Sequence, residues 1–402
     1  MTSKFSTILD WIDAQQPRML EQVVAWSNIN SGTMNLPGLE RFAGVLRQAF
    51  ATLSGEIMDI ELAPAESVDD RGEIRRSPLG KAISITKRPN APRRIFLCIH
   101  MDTVYPVDHP FQSCRFLDDG RLHGPGVADA KGGLVVMLTA LQALERSDVA
   151  SNIGWEVLIN PDEEIGSPGS SPLLIEAAKR NQWGLLFEPA MEDGSLVDRR
   201  KGAGNYSVVV HGRSAHAGRD FAKGRNAVVA ACEMATQLHS INGLKEGVTI
   251  NIGKIDGGGP PNVVPDLAIC RMNLRTTVPE DEAWLLERIE PPVAAANRRE
   301  GFSAQLHGGF FSPPKIPDAR AKALMDLIAR CGSDVGVPVN FKSSGGTSDG
   351  NKLAAGGLPN IDTLGVCGGS IHSPNEFMIP KSLTERTRLT ALTLLRLADG
   401  VL

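Results

Sequence analysis

With 402 residues, 42% hydrophobic and 22% charged, the chain has the composition of a folded protein with room for two core-bearing domains, which excludes a mainly disordered one. A formal net charge of −4, with no long block of Lys or Arg, argues against a nucleic-acid partner. The opening stretch MTSKFSTILDWIDAQQPRML places polar residues within every few positions, so it reads neither as a signal peptide nor as a membrane span, and a cytoplasmic protein without a membrane partner is expected.

Apolar residues at Leu9, Ile12, Leu20, Val23 and Val24 predict helices over the first 50 residues, packed on a sheet. From about 94 to 190 short apolar runs alternate with helical stretches: IFLCI, LVVMLTALQALE, WEVLI, PLLIEAAKRN, LLF. That alternation of strands and amphipathic helices predicts a mostly parallel sheet with helices on its faces. Between 203 and 311 the order becomes strand (NYSVVVHG), helix (NAVVAACEMATQLHSI), strand (VTINIGKI), strand (LAICRMNLRT), helix (EDEAWLLERI), strand (FSAQLHG). A β-α-β-β-α-β order of this kind makes a small sheet with two helices on one face. Pro291 and Pro292 are expected to shorten or kink its second helix. The helix ARAKALMDLIARC, the strand NIDTLGV and the helix TERTRLTALTLLRLA then return to the first style. The expected fold is therefore α/β, a mixed, mostly parallel sheet flanked by helices and built from 1–202 and 312–402, with a ferredoxin-like α+β domain inserted at 203–311. Six cysteines (98, 114, 232, 270, 331, 367) are scattered without close pairing and read as reduced.

Ligand sites in open α/β sheets form just beyond the carboxyl ends of the strands. Here IFLCI is followed by His100 and Asp102, WEVLI by Glu163 and Glu164, LLF by Glu188, and NIDTLGV by CGGSIHSP with His372, while Asp129 lies in the glycine-rich loop GPGVADAKGG. Taken singly, each has an ordinary explanation: Asp129 as a turn former, a loop histidine or a Glu-Glu pair as solvated surface. Taken together, adjacent carboxylates repel unless a cation offsets them. Two histidines with three or four acids suit zinc, cobalt or manganese better than calcium. Two ions sharing one bridging carboxylate use such a set economically and would activate a hydrolytic water.

The series HMDTVYP, GPGVADAKGG, NPDEEIGSPGS, FEPA, GRSAHAG, GGPPNVVPD, GGTSDG and GGSIHSPNE, running in order from about 95 to 380, resembles the zinc-dependent glutamate carboxypeptidase, acetylornithine deacetylase and succinyl-diaminopimelate desuccinylase family, nearest in pattern to its carboxypeptidase G members. Ala130 departs from the second acid that many relatives carry there. The resemblance implies a zinc-exopeptidase-like catalytic domain with two divalent ions per subunit, most simply zinc. One ion would be held by His100, Asp129 and Glu188, the other by Asp129, Glu164 and His372. It further implies Asp102 orienting His100, Glu163 as general base, and His216 reaching a partner subunit's site to steady an oxyanion. The inserted domain would then be a dimerisation (lid) domain and the protein a homodimer.

His216 by itself is equally a surface turn residue. Arg275 in MNLRTT and Asn262 in GGPPNVVPD are either solvated groups or contacts for a substrate carboxylate, and the resemblance favours substrate for Arg275. Gly346, in the run 345–350, either lines the pocket with backbone N–H groups or belongs to an ordinary turn. The expected activity is amide hydrolysis on a small-molecule or dipeptide-like substrate carrying a carboxylate, by a carboxypeptidase or an N-acyl-amino-acid deacylase. A non-catalytic binding relative lacks support, since the ligands and base are all present. A dinucleotide-dependent oxidoreductase lacks its GxGxxG turn.

Overall fold

Residues 2–402 are described by a computed structural model. The larger sheet has six strands in the order Glu56–Ile60, Ala82–Lys87, Ile153–Asn160, Arg93–His100, Trp183–Leu186, Asn360–Ile361. The first two join antiparallel, and the other four run parallel to one another. Successive side chains of a strand point to opposite faces. Ile95, Leu97 and Ile99 accordingly enter one core, with Leu9, Phe42, Leu138 and Leu392 from the flanking helices, while Phe96 and Cys98 enter a second, with Leu174, Ala177 and Leu353. Both faces are covered, so the central strand is a continuous apolar run, as parallel strands require. His100, the residues after Asn160 and Glu188 after Leu186 thus emerge at one end of the sheet.

Helix Gly133–Leu144, read from sequence as amphipathic, is buried on every side except at Gln142. It lies between the sheet and the N-terminal and C-terminal helices, so no solvent face remains to carry polar residues. The span Val127–Leu144 is long and apolar enough to cross a membrane, yet 94% of it is buried inside this fold.

Residues Gly202–His211, Thr249–Gly257, Leu267–Thr276 and Ser303–Ser312 form a separate, wholly antiparallel four-stranded sheet. Helices Ala227–His239 and Glu280–Asn297 cover one face, giving it its own core of Val208, Met234, Cys270, Leu285 and Ile289 among others. The second helix is not shortened: its 18 residues run through Pro291 and Pro292. The carbonyls that lose their donors belong to Glu287 and Arg288, which are not buried and can be solvated instead. On the sheet's other face lies the hairpin Ala65–Val68/Ile74–Ser77, whose Val68 packs with Val209 and Ile269.

A Cβ built on Gly133 would sit 2.0 Å from the Phe187 carbonyl oxygen, so the core helix starts hard against the strand end that leads to Glu188. Gly133→Ala should therefore destabilise the fold by about 1–3 kcal/mol, the usual cost of overpacking, measurable as a lower urea midpoint with an unchanged slope.

Candidate metal centre

His100 ends its strand fully buried, and its ring is fixed from behind: Nδ1 lies 3.0 Å from the Asp102 backbone carbonyl and 3.4 Å from the Asp102 carboxylate. A proton on Nδ1 donated to that carbonyl leaves the Nε2 lone pair facing forward. Nε2 lies 3.1 Å from Asp129 Oδ1 and 3.7 Å from Glu188 Oε2. The other oxygen of Asp129, Oδ2, is 3.1 Å from His372 Nε2, which is also 3.1 Å from Glu164 Oε2. Two donor groups result, His100/Asp129/Glu188 and Asp129/Glu164/His372, each with its ligand atoms within 4.8 Å of one another and with Asp129 common to both. Tetrahedral ligands at about 2.0–2.2 Å from one ion lie roughly 3.3 Å apart. The separations fit two such ions bridged by the two oxygens of Asp129.

The electrostatics agree. Burial pushes Glu164 up to about 7, with the Asp129 charge adding to it. Burial, then the charge of Glu188, raises Glu163 well above the ordinary glutamate range, and burial also raises Glu188. His372 is raised to about 11 by its hydrogen bonds with Asp129 and Glu164. Four acidic side chains packed round two imidazoles form a set short of positive charge, which divalent cations supply.

Glu163 and Glu164 share a short 3-10 turn, yet their side chains differ in use. Glu164 faces His372, whereas the Glu163 carboxylate has no hydrogen-bond partner among the described residues and lines a cavity of about 310 Å³ beside Asp129, Glu188 and His372. The turn is held through its backbone by Asp102, which accepts from the N–H groups of Glu163 (3.2 Å) and Glu164 (3.3 Å) and from the Thr33 hydroxyl (2.7 Å). Glu376 does the same for the Asp129 loop, accepting from the N–H groups of Gly126, Ala128 and Asp129 and from the Tyr105 hydroxyl. His372 sits at φ +59°, a left-handed conformation costly for a residue with a side chain and usual where a site over-determines the backbone.

Three of the remaining sequence candidates, His216, Asn262 and Arg275, do not line this cavity. His216 is exposed on a two-residue strand paired with Val263–Val264, and the Asn262 carbonyl accepts from Ala217 N–H at 2.9 Å, so these two are neighbours. Arg275 lies opposite Ala203 and Thr249 in the inserted sheet, half-buried, its Nη1 without a partner and its pKa lowered by burial. Gly346 does line the cavity, and beside it stands a residue that motif reading passed over: Arg200, buried, held by Asp362 through two bonds (2.8 and 3.1 Å) and donating to the Gly346 carbonyl at 3.2 Å. Arg200 occurs in the run DRRKG, which offers no spacing that singles out one of its cations. Glu376 stands inside a quoted motif, GGSIHSPNE, but an acid four residues beyond a ligand histidine carries no signal that it folds back onto Asp129.

Two donor groups sharing a carboxylate, with an uncommitted glutamate alongside, define a metal-dependent hydrolase. The chain belongs to peptidase family M20/M25/M40, whose sequence profile matches residues 96–396. Among curated relatives it is 25% identical to carboxypeptidase G2 of Pseudomonas sp. (strain RS-16) over 96% of this chain and 91% of that one. It is 27% identical to the succinyl-diaminopimelate desuccinylase of Hahella chejuensis over 78% of this chain and 85% of that one. Among solved structures, a Staphylococcus aureus tripeptidase superposes with a TM-score of 0.74 at 23% identity, covering 96% of this chain and 99% of that one. An M20 family metallo-carboxypeptidase of Sulfolobus solfataricus superposes with a TM-score of 0.75 at 16% identity, covering 95% and 99%.

Asp102→Asn should leave a folded protein whose metal affinity falls by about 10–100-fold, the usual effect of losing a group that orients a ligand histidine; competition with a chromophoric chelator measures it.

Proposed function

We propose that the protein is a two-zinc hydrolase that cleaves an amide bond whose amine half carries a free carboxylate, as a carboxypeptidase or an N-acyl-amino-acid deacylase. The observation that supports this most directly is the uncommitted Glu163 carboxylate facing the same cavity as both donor groups. Two bound ions supply Lewis acidity and a water of lowered pKa. Glu163, its pKa raised by burial and by Glu188, takes the proton of the attacking water and delivers it to the leaving nitrogen. Arg200, which also lines the cavity, offers a guanidinium held rigid by Asp362, and the backbone at Gly346 lies beside it; together they would receive the substrate carboxylate.

His216, Asn262 and Arg275 belong in this reading to the assembled protein. A homodimer formed through the inserted domain would bring one subunit's His216 to the other's cavity, where it would steady negative charge on the carbonyl oxygen. The printed names of the relatives, a carboxypeptidase and a desuccinylase, agree with both versions of the activity.

Chelation should abolish hydrolysis of N-acyl amino acids, and zinc, cobalt or manganese should restore it; full activity in thoroughly demetallated protein overturns the proposal. Glu163→Gln should retain both ions, by metal analysis, while kcat falls about a hundredfold to ten-thousandfold. Loss of metal with normal folding would instead place Glu163 among the ligands. Mixing His216→Ala and Glu163→Gln subunits should regenerate activity in the heterodimer, because one of its sites then combines an intact metal centre with an intact partner histidine. A heterodimer as inactive as its parents would confine His216 to its own chain.

A further inference from the structure

The cavity onto which both donor groups open also constrains the amine half of the substrate. Asp129, Glu163, Glu188 and His372 all line it, and its volume is about 310 Å³. A larger cavity of about 730 Å³ lies among the Ala65–Val68/Ile74–Ser77 hairpin, the turn after Glu164 and the four-stranded sheet, with Met34, Ile74 and Ile165 in its walls, but it shares no lining residue with the first. An amino acid's carboxylate and side chain leave the same carbon. A carboxylate held at Arg200 and Gly346 therefore commits the side chain to the walls of the smaller cavity.

Those walls offer no cation for a second carboxylate. Arg200 is the only Lys or Arg among the described residues lining the cavity, and Asp362, which takes its Nε and Nη2, also accepts from the buried Lys315. Three further cations adjoin the walls in the chain, Arg199, Lys201 and Lys342, and none of them lines the cavity; Lys201 donates to the Gly247 carbonyl and Lys342 to Asp193. An ammonium is served no better, because Asp129 and Glu188 belong to the donor groups and Glu163 is the base. The other side chains are neutral. Pro189, Ala190 and Met191 follow Glu188, Val197 precedes Arg200 by three residues, and Ile371 precedes His372, so apolar side chains from three segments stand beside the reacting groups. Two of the lining hydroxyls already accept from backbone, Thr363 from the Val197 N–H at 2.8 Å and Ser344 from the Gly346 N–H at 3.1 Å.

We infer that the amino acid released by this enzyme has a neutral, apolar side chain of about the size of methionine or leucine, and that an acidic side chain such as that of glutamate, or a lysine side chain, is selected against. This rests on the hydrolase reading above, and it assigns Met191, Val197 and Ile371 to specificity. Burying apolar side-chain surface favours the first kind of substrate, while a charged side chain would lose its water without gaining a partner.

Calorimetry on zinc-loaded Glu163→Gln protein, in which turnover is blocked, measures binding alone for N-acetyl-L-methionine, N-acetyl-L-leucine, N-acetyl-L-glutamate and N-acetyl-L-lysine. Methionine and glutamate side chains are of similar length, so their comparison reads charge rather than size. The methionine and leucine compounds should bind at least about tenfold more tightly than the glutamate and lysine ones. In the active enzyme kcat/KM should follow the same order. Ile371→Lys, at a side chain that is 41% exposed, should raise the glutamate-to-methionine ratio in both measurements at least about fivefold, and Met191→Lys should repeat the effect from a different segment. Equal affinities, tightest binding of the glutamate or lysine compound, no binding of any of the four, or ratios untouched by both variants would overturn the assignment. If the wild-type enzyme hydrolyses none of the four while the binding order holds, the hydrolase reading falls and the side-chain assignment stands.

Discussion

The buried carboxylate of Asp102 is the joint on which the site depends. It lies behind His100, and its two oxygens take the backbone N–H groups that open the Glu163–Glu164 turn together with the Thr33 hydroxyl. One side chain thereby ties the end of the central strand, the loop beyond its neighbour Ile153–Asn160 and the N-terminal segment. A shift in it would move His100, Glu164 and Glu163 together. Short bonds to backbone, rather than to flexible side chains, hold this joint, and such pre-organisation keeps reacting groups within a few tenths of an ångström of their working positions.

Carboxylates accumulate around that joint to an extent that the polypeptide alone does not balance. Burial raises Glu163, Glu164 and Glu188, and it also raises Glu376 to about 7 and Asp162 to about 6. Asp129 moves the other way: burial pushes it up, but the imidazoles of His100 and His372 beside it outweigh that and hold it below its ordinary range. The supporting acids accept several hydrogen bonds each, Asp162 from the Ser170 hydroxyl and the N–H groups of Gly169 and Ser170, so their lone pairs are satisfied without a cation. Glu163, Glu164 and Glu188 lack that backbone support for their carboxylates. The division separates acids that shape loops from acids that await a charge, and it couples metal binding to the stability of the strand ends that carry them.

Much of this architecture was legible in the sequence because two strong regularities coincide. Continuous apolar runs mark strands buried on both faces, and ligand-type residues directly after those runs mark the working end of the sheet; His100 and Glu188 each follow such a run. The four-stranded antiparallel sheet was legible from its strand and helix order alone. What escaped is what depends on packing at long range. Helix Gly133–Leu144 shows no polar stripe because other helices cover it, a fact absent from its own residues. The expected strand NIDTLGV is a regular strand only at Asn360–Ile361: Asp362 turns to Arg200 and Lys315, and Thr363 keeps just an isolated bridge to Phe187. Arg200 matters through Asp362, 162 positions away, and Glu376 through Asp129, 247 positions away; no local pattern encodes such pairings.

The two cavities are built on elements that differ in how firmly they are held. The donor groups and the base sit on the ends of strands of the large sheet, where register and a buried core fix them. The walls of the larger cavity come from a surface hairpin, a turn and the four-stranded sheet, and Met34, Ile74 and Ile165 among them are exposed. Arg271 shows the cost of that arrangement: because the hairpin has only a small apolar contact with the inserted sheet, at Val68, Val209 and Ile269, it needs the guanidinium's two bonds to backbone carbonyls to stay in place. The candidate metal centre thus sits on heavily buried strand ends, whereas the hairpin is lightly supported.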